Sequence, residues 1–389
     1  MGKSLKEIAT QLKDSNKKVQ LIYAFNGTGK TRLSREFKSL VDPKSDIEAE
    51  EPEEAGLGSK KILYYSAFTE DLFYWDNDLE YDAHPKLKIH PNIFTKWVFV
   101  DQGQDRNVIR FFQHYTDEKL NPIFNAQYTS KDIDGKDIAV NAFTEVTFSY
   151  RRGDDEVSDN IKISKGEESC FIWSVFYALL DQVVNVLNIV EKSDRDTDQF
   201  DNLEYVFIDD PVTSLDDNHL IELAVNLAKL IKSSDFKLNN VKFIITTHNI
   251  NFYNVMYNET KQNSGYILNR LEDNTFELKE VKGDSNKCLS YHLHLKSELE
   301  IAVASNQVRK QHFTYLRNLY EKTASFLGYK NWGDLLPDDK DAYYKRITNF
   351  TSHSTIASES IAEPTPQEKQ TVKLLLEHLI NNYSFWKEP

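Results

Sequence analysis

Two groups of residues in this 389-residue chain have the types and spacing to act on phosphorus. The first is AFNGTGKT, residues 24–31. It follows the apolar run VQLIYAF, which reads as a strand, and it opens a helical stretch, the context a phosphate-binding loop requires. Backbone amides from Asn26 through Gly27, Thr28 and Gly29 would cradle a β-phosphate. Lys30 would reach the β/γ oxygens and Thr31 would offer its hydroxyl to Mg2+. The glycine that usually begins this pattern is Ala24 here, so the loop entry must accommodate a Cβ.

The second group lies in the last quarter of the chain. Arg317 and Glu321 stand four residues apart in RNLYEKTASFLGY, and His353 follows 32 residues after Glu321 in NFTSHST. Taken singly these are an ordinary i, i+4 ion pair and an exposed histidine. Taken together they supply what RNA cleavage without a metal needs: a carboxylate to take the ribose 2′-OH proton, an imidazole to protonate the leaving 5′ oxygen, and a guanidinium beside the pentacoordinate phosphorus. The products of such a reaction are a 2′,3′-cyclic phosphate and a 5′-OH. Arg346 and His353 also fit an R-x6-H pattern similar to that of HEPN ribonucleases. On that reading Arg346 joins or replaces Arg317 and two tails pair; a plain surface arginine is the alternative.

Further motifs resemble those of ABC ATPases and occur in that family's order. The strand YVFI, residues 205–208, ends in Asp209 and Asp210. Asp209 matches the Mg2+-holding carboxylate, and Asp210 stands where the family carries a glutamate that orients the attacking water. Either the shorter carboxylate is a simple variant or it slows hydrolysis, as suits a switch. Ile163-Ser164-Lys165-Gly166-Glu167 resembles the signature sequence, Ser214 to Asp216 the D-loop, and His248 the switch histidine; Gln102 and Gln104 are candidates for the Q-loop. In that family the signature cannot reach the phosphate loop of its own chain. The resemblance therefore implies a head-to-tail homodimer or higher assembly, with ATP or GTP at the interface touched by Ser164, Gly166, Glu167 and Asp216.

These groups need elements to carry them. Strands are expected over 19–25, 61–65, 205–208 and 241–246, with helices over 31–40, 167–190 and 220–231 and sheet near 143–152. Alternating strands and helices predict an α/β head with a central sheet. Beyond about Ser285 strand patterns disappear, and 293–327 and 367–386 read as helices, so the tail is expected to be all-α. The boundary is placed between residues 265 and 266, and acidic surface loops are expected at about 44–58 and at 193–202. The aromatics Phe68, Phe73, Tyr74 and Trp75 fit core packing or a stacking surface.

Composition narrows the function classes. Net charge is −14. From Val281 onward there are 14 basic and 13 acidic residues, leaving 33 of 47 basic and 48 of 61 acidic residues in the first 280. A neutral tail without a broad basic field suits one particular folded RNA better than any phosphate chain. Two cysteines, Cys170 and Cys288, exclude a four-cysteine metal site within one chain and fit a reducing cytoplasm. No apolar run approaches the roughly 20 residues that span a bilayer, so no membrane association is expected.

With SKGEES, FIDDPVTSLDDNH, FTEDLFYWDNDLE and GDSNK joined to the Arg317, Glu321 and His353 spacing, the chain resembles the PrrC-type bacterial anticodon nucleases over nearly its whole length. The RloC-type relatives carry coiled-coil arms and a zinc hook, and nothing here supplies either. The resemblance implies an ABC/SMC-like P-loop head fused to a helical RNase tail. It also implies catalytic roles for Arg317, Glu321 and His353, and tRNA recognition by Asp284, Ser285, Asn286 and Lys287, for which a capped helix start is the plain alternative. Cleavage beside the wobble base of tRNA-Lys, latency within a type I restriction-modification complex as an antiphage device, and dTTP as a further regulatory nucleotide are implied as well. The rival reading is an SMC-like DNA-repair or sensing ATPase whose tail only binds partners.

Overall fold

The computed structural model describes residues 2–43, 61–66, 72–76, 85–90, 93–131, 135–151, 157–211, 215, 217–271, 273–282, 291–337, 339–340, 342–345, 347, 364–383 and 385. The chain divides into two compact units, Met1–Gly283 and Asp284–Pro389.

In the first unit the elements run α1 (Leu5–Asp14), β1 (Val19–Tyr23), α2 (Lys30–Val41), β2 (Ile62–Tyr65), β3 (Phe73–Asp76), β4 (Lys86–Ile89) and α3 (Asp105–Tyr115). They continue with β5 (Leu120–Phe124), β6 (Tyr128–Lys131), β7 (Asp137–Val140), β8 (Glu145–Arg151), β9 (Val157–Ser158) and α4 (Lys165–Leu187). The unit closes with β10 (Tyr205–Asp209), α5 (Asp217–Ser233), β11 (Lys242–Thr247), α6 (Ile250–Glu259), β12 (Ser264–Arg270) and β13 (Phe276–Lys282).

The main sheet has the order β13-β12-β1-β11-β10-β2, parallel throughout except for β13 at the edge. Strands β1 and β10 are buried at every position. That is why VQLIY and YVFID read as near-continuous apolar runs: a parallel strand covered on both faces has no solvent side to mark. The strand carrying the phosphate loop, β1, and the strand ending in the paired aspartates, β10, are separated by β11. This order, with the loop between β1 and α2, is the ABC/SMC-like P-loop core.

A second, antiparallel sheet of β3, β4, β8 and β5, with β9 on β8, forms a lobe. Helix α4 lies between the two sheets. Its Trp173 meets Tyr65 of β2 edge-on with ring centroids 5.2 Å apart, and its Phe171 meets Phe148 of β8 at 5.4 Å. Contrary to the expectation from apolar run length, this 23-residue helix is long and apolar enough to cross a membrane. Because 83% of its apolar window is buried inside the protein, that character belongs to a helix packed on all sides.

The expected domain boundary at 265/266 falls inside β12. Residues 266–282 complete β12 and form β13, and Tyr266 and Phe276 are buried in the same core as Ile22 and Phe37. The boundary is therefore displaced to residue 283, because a hairpin with one exposed face carries few apolar residues: the burial of β13 alternates irregularly.

The tail holds α7 (Tyr291–Ala304), α8 (Lys310–Leu327) and α9 (Pro366–Asn382). No strand occurs among its described residues. The helical stretch expected over 293–327 is broken at its middle: Asn306 takes the left-handed conformation, with φ 58°, and the Gln307 amide caps the Ala302 carbonyl at 2.9 Å. Helices α7, α8 and α9 enclose one core of Leu299, Phe313, Leu316, Leu319, Leu375 and Leu379, and the Tyr320 hydroxyl donates to the Leu375 carbonyl at 2.9 Å.

Candidate functional site

In the head, the phosphate loop is shaped by Gly27 and Gly29, at φ 79° and 107°. Gly29 caps α2, and an added Cβ there would be strained by the backbone and lie 3.3 Å from Phe276. Ala24 needs no such freedom. It lies outside the positive-φ residues, its amide donates to the Thr247 carbonyl at 2.9 Å, and its methyl is fully buried in the core. The departure from the usual glycine thus replaces an unneeded flexible position with packing.

Lys30 is 6% exposed, and its ammonium donates to the Ala24 and Phe25 carbonyls at 3.2 and 3.3 Å and to Asn26 Oδ1 at 3.1 Å. Asp210 Oδ2 lies 3.5 Å from the same nitrogen. These oxygens hold the charge where phosphate oxygens can take it over.

Asp209, 1% exposed, ends β10. Its carboxyl is pushed up from the ordinary value, first by burial and then by the neighbouring Asp210; Thr246, Thr31 and Lys30 pull the other way. Thr246 Oγ1 donates to Oδ1 at 2.6 Å, and Ser34 Oγ, itself 2.8 Å from the Tyr64 hydroxyl, lies 3.4 Å from Oδ2. Thr31 and Asp209 bring two hard oxygen donors together. That set fits Mg2+, which takes one or two protein oxygens and fills its remaining positions with water and phosphate.

Asp210 follows in the left-handed region, at φ 54°, a conformation Asp and Asn adopt more readily than other side-chain-bearing residues. The turn aims its carboxylate at His248: Nδ1 lies 2.7 Å from both carboxylate oxygens and the backbone amide donates at 3.2 Å. Asp210 thus joins Lys30 on one side to His248 on the other. The structure brings together Lys30, Thr31, Asp209, Asp210 and His248, residues separated by more than 200 positions in sequence.

Ser164 and Glu167 form a capping box at the start of α4: Ser164 Oγ accepts from the Glu167 amide at 3.2 Å, and the Glu167 carboxylate accepts from the Ser164 amide at 2.7 Å. Both are exposed or half-exposed, and Gly166 sits in the same first turn. Gln102 and Gln104 are engaged elsewhere. Gln102 bonds Gln182 and Gln199, and Gln104 bonds the Gln102 carbonyl at 3.1 Å and Asn107 at 2.7 Å.

In the tail, Arg317 Nε donates to Glu321 Oε1 at 2.7 Å on α8, with side chains 34% and 39% exposed. The adjoining face of α8 fills the core through Phe313, Leu316 and Tyr320, so the pair sits half-buried at the edge of that core. Two tail histidines are committed to structure. His312 Nδ1 accepts from the Arg309 amide at 2.7 Å, and His378 Nε2 lies 3.2 Å from the Leu335 carbonyl.

No family model matches the sequence. The chain is 59% identical, across 409 aligned positions covering 100% of it and 99% of the relative, to an Escherichia coli protein named anticodon nuclease. The chain belongs to the anticodon nuclease family. Among solved structures the chain is similar to an Smc head domain with an extended coiled coil bound to the C-terminal domain of ScpA from Pyrococcus furiosus, with 12% identity, 47% of this chain and 35% of that one, and TM-score 0.27. It is also similar to an SmcHead bound to the C-winged helix domain of ScpA, with 10% identity, 71% and 93% coverage, and TM-score 0.33. The strand order and loop position, not these likenesses, define its head.

His353, Arg346, Ser214, Asp216 and the segment Asp284, Ser285, Asn286, Lys287 lie outside the described residues, as do Phe68 and the acidic loop at 44–58. Of the aromatic group, Phe73 is buried, Tyr74 is exposed against His90, and Trp75 donates to Glu168. Ser34, Tyr64 and Thr246 are additions that the sequence did not single out. Thr246 was within reach, since it lies directly beside Asp209 in the strand register and immediately precedes Thr247 and His248.

Proposed function

We propose that this protein is an NTP-regulated endoribonuclease that cleaves a tRNA in its anticodon loop. What supports this reading is the full-length likeness to the Escherichia coli anticodon nuclease, which extends through the tail where Arg317 and Glu321 meet at 2.7 Å, half-buried on one helix. Glu321 takes the proton from a ribose 2′-OH, the freed oxygen attacks the adjacent phosphorus, and the 5′ oxygen leaves with a proton from His353. Arg317 stabilises the charge on the phosphorane, with Arg346 as a second guanidinium for that role. The linkage breaks to a 2′,3′-cyclic phosphate and a 5′-OH, and no metal takes part in that step.

In the head, Asn26 to Thr31 bind ATP or GTP, with Thr31 and Asp209 holding its Mg2+, which screens the phosphate charge. Asp210 and His248 position the attacking water. Ser164, Gly166, Glu167 and Asp216 serve the nucleotide of a second copy in a head-to-tail homodimer or higher assembly, and dTTP acts as a regulatory nucleotide. For Glu167 this requires the capping box to open or to serve through its backbone. Asp284, Ser285, Asn286 and Lys287 read the anticodon of tRNA-Lys, and the cut falls beside the wobble base. The protein acts in the cytoplasm, silent within a type I restriction-modification complex until phage infection disturbs it.

The test is to incubate full-length protein with total tRNA and ATP or GTP and to map the cut ends, with His353→Ala as control. One tRNA cut at one anticodon position, and no cut by the variant, is the expected result. Cutting that persists in the variant, or none in any nucleotide state, overturns the proposal.

A further inference from the structure

The first turn of α4 is held from outside by β3. Residues Phe73 and Trp75 share one face of that strand by its two-residue period, and they meet Phe171 and Glu168, one helical turn apart on α4. Phe73 and Phe171 pack edge-on at 6.1 Å. Trp75 Nε1 donates to Glu168 Oε2 at 2.8 Å, while Lys165 Nζ takes the other carboxylate oxygen at 2.8 Å. Glu168 is only 7% exposed, so its charge must be satisfied by these donors. The segment leading into α4 is fixed from the same side: Lys162 Nζ lies 5.6 Å above the Trp75 ring, the Ile161 amide donates to the Phe148 carbonyl at 2.9 Å, and Ile163 is buried. Trp75 therefore touches both the approach to Ser164 and the turn that follows it.

We infer that Trp75, acting through Glu168, is a positioning residue that fixes the Ser164 to Glu167 turn for contact with a nucleotide bound by a second copy of this chain. The inference rests on the proposed head-to-tail reading and assigns a role to a strand that the reading leaves without one. The indole bond joins the lobe sheet to the helix N-terminus, so a loosened bond lets the turn drift. Contact across an assembly weakens while the chain's own phosphate loop, on β1 and α2, is untouched. Glu168→Gln keeps an oxygen that accepts from the indole; Trp75→Phe keeps an aromatic ring of smaller size and removes the donor.

Full-length protein would be followed by sedimentation with Mg2+ and a non-hydrolysable ATP or GTP analogue, beside equilibrium binding of a fluorescent nucleotide. Trp75→Phe is expected to bind nucleotide within about twofold of the parent but to need roughly tenfold more protein to assemble, the order for one charge-assisted hydrogen bond. Glu168→Gln should assemble within about threefold of the parent, a rescue that a merely structural role does not give. Ser164→Arg separates the layers: if it blocks assembly and Trp75→Phe does not, the positioning role fails and the head-to-tail reading stands. If Ser164→Arg assembles like the parent, the head-to-tail reading fails and the inference goes with it. Equal loss of nucleotide binding and assembly in Trp75→Phe overturns the inference in favour of general destabilisation.

Discussion

Replacing Asp210 by Asn isolates the charge at the centre of the head site. Asn tolerates the left-handed backbone at φ 54° as readily as Asp, so the turn after β10 should survive, as it would not with a branched residue. The amide loses the anionic partner of His248 Nδ1, now 2.7 Å from both oxygens, and the carboxylate 3.5 Å from Lys30. A charge-assisted hydrogen bond is worth about 1.5–3 kcal/mol, which is on the order of 10- to 150-fold in rate if felt in the transition state. Loss of water orientation adds to it, giving a fall in hydrolysis of about 10²–10³. Nucleotide affinity moves the other way, because Lys30 no longer has a competing carboxylate: binding should be unchanged or a few-fold tighter. Phosphate release at saturating ATP or GTP, beside equilibrium binding of the same nucleotide, reads both effects. Turnover within about threefold of the parent, or an affinity loss matching the rate loss, would refute the reasoning.

Asp210→Glu lengthens the side chain by one methylene, about 1.5 Å. If the short side chain limits hydrolysis, turnover rises several-fold; an unchanged rate leaves the shorter carboxylate a simple variant. Asp209→Asn should abolish Mg2+-dependent hydrolysis yet raise the melting temperature of the nucleotide-free protein by about 2–4 °C, the order for roughly 1 kcal/mol in a domain of this size. The sign follows from burial, which raises the Asp209 carboxyl above 3.8: the charged form is penalised at neutral pH. The advantage of Asn over Asp should therefore shrink as pH falls through the raised value and vanish below about 3.8, so a difference constant with pH would contradict it. Glu321→Gln should lower tRNA cleavage by about 10²–10⁴ while leaving nucleotide hydrolysis unchanged. Its effect on stability should be within about 0.5 kcal/mol, since an exposed i, i+4 pair contributes no more.

What could be read from sequence was what is local. The phosphate loop, the apolar run into Asp209 and Asp210, and His248 after β11 each declare themselves within a dozen residues, and parallel strands buried on both faces leave unambiguous apolar runs. The support of Asp209 is not local: Ser34, Tyr64 and Thr246 come from α2, β2 and β11 and meet only through sheet register and the packing of α2 on the sheet. For the same reason the partners of Gln102, one of two Q-loop candidates, were not legible: its amide bonds Gln182 on α4 and Gln199 in the 191–204 connection. The hairpin of β12 and β13 was misassigned to the tail because its outer strand exposes alternate polar residues and lacks the apolar continuity of its neighbours. In the tail, i, i+4 spacing announced the Arg317 and Glu321 contact, yet spacing alone is the same for a catalytic pair and for a surface ion pair.

The chemistry of the cut ends tests the central claim most directly. Full-length protein, a tRNA pool and nucleotide with Mg2+ would be used with the parent and with Arg317→Ala, Glu321→Gln and His353→Ala, and the termini assigned by their response to phosphatase, kinase and cyclic-phosphate opening. A 2′,3′-cyclic phosphate and a 5′-OH from the parent, lost in all three variants while nucleotide hydrolysis persists, is the predicted result. A 3′-OH with a 5′-phosphate, or parental cutting by any of the three, would contradict it.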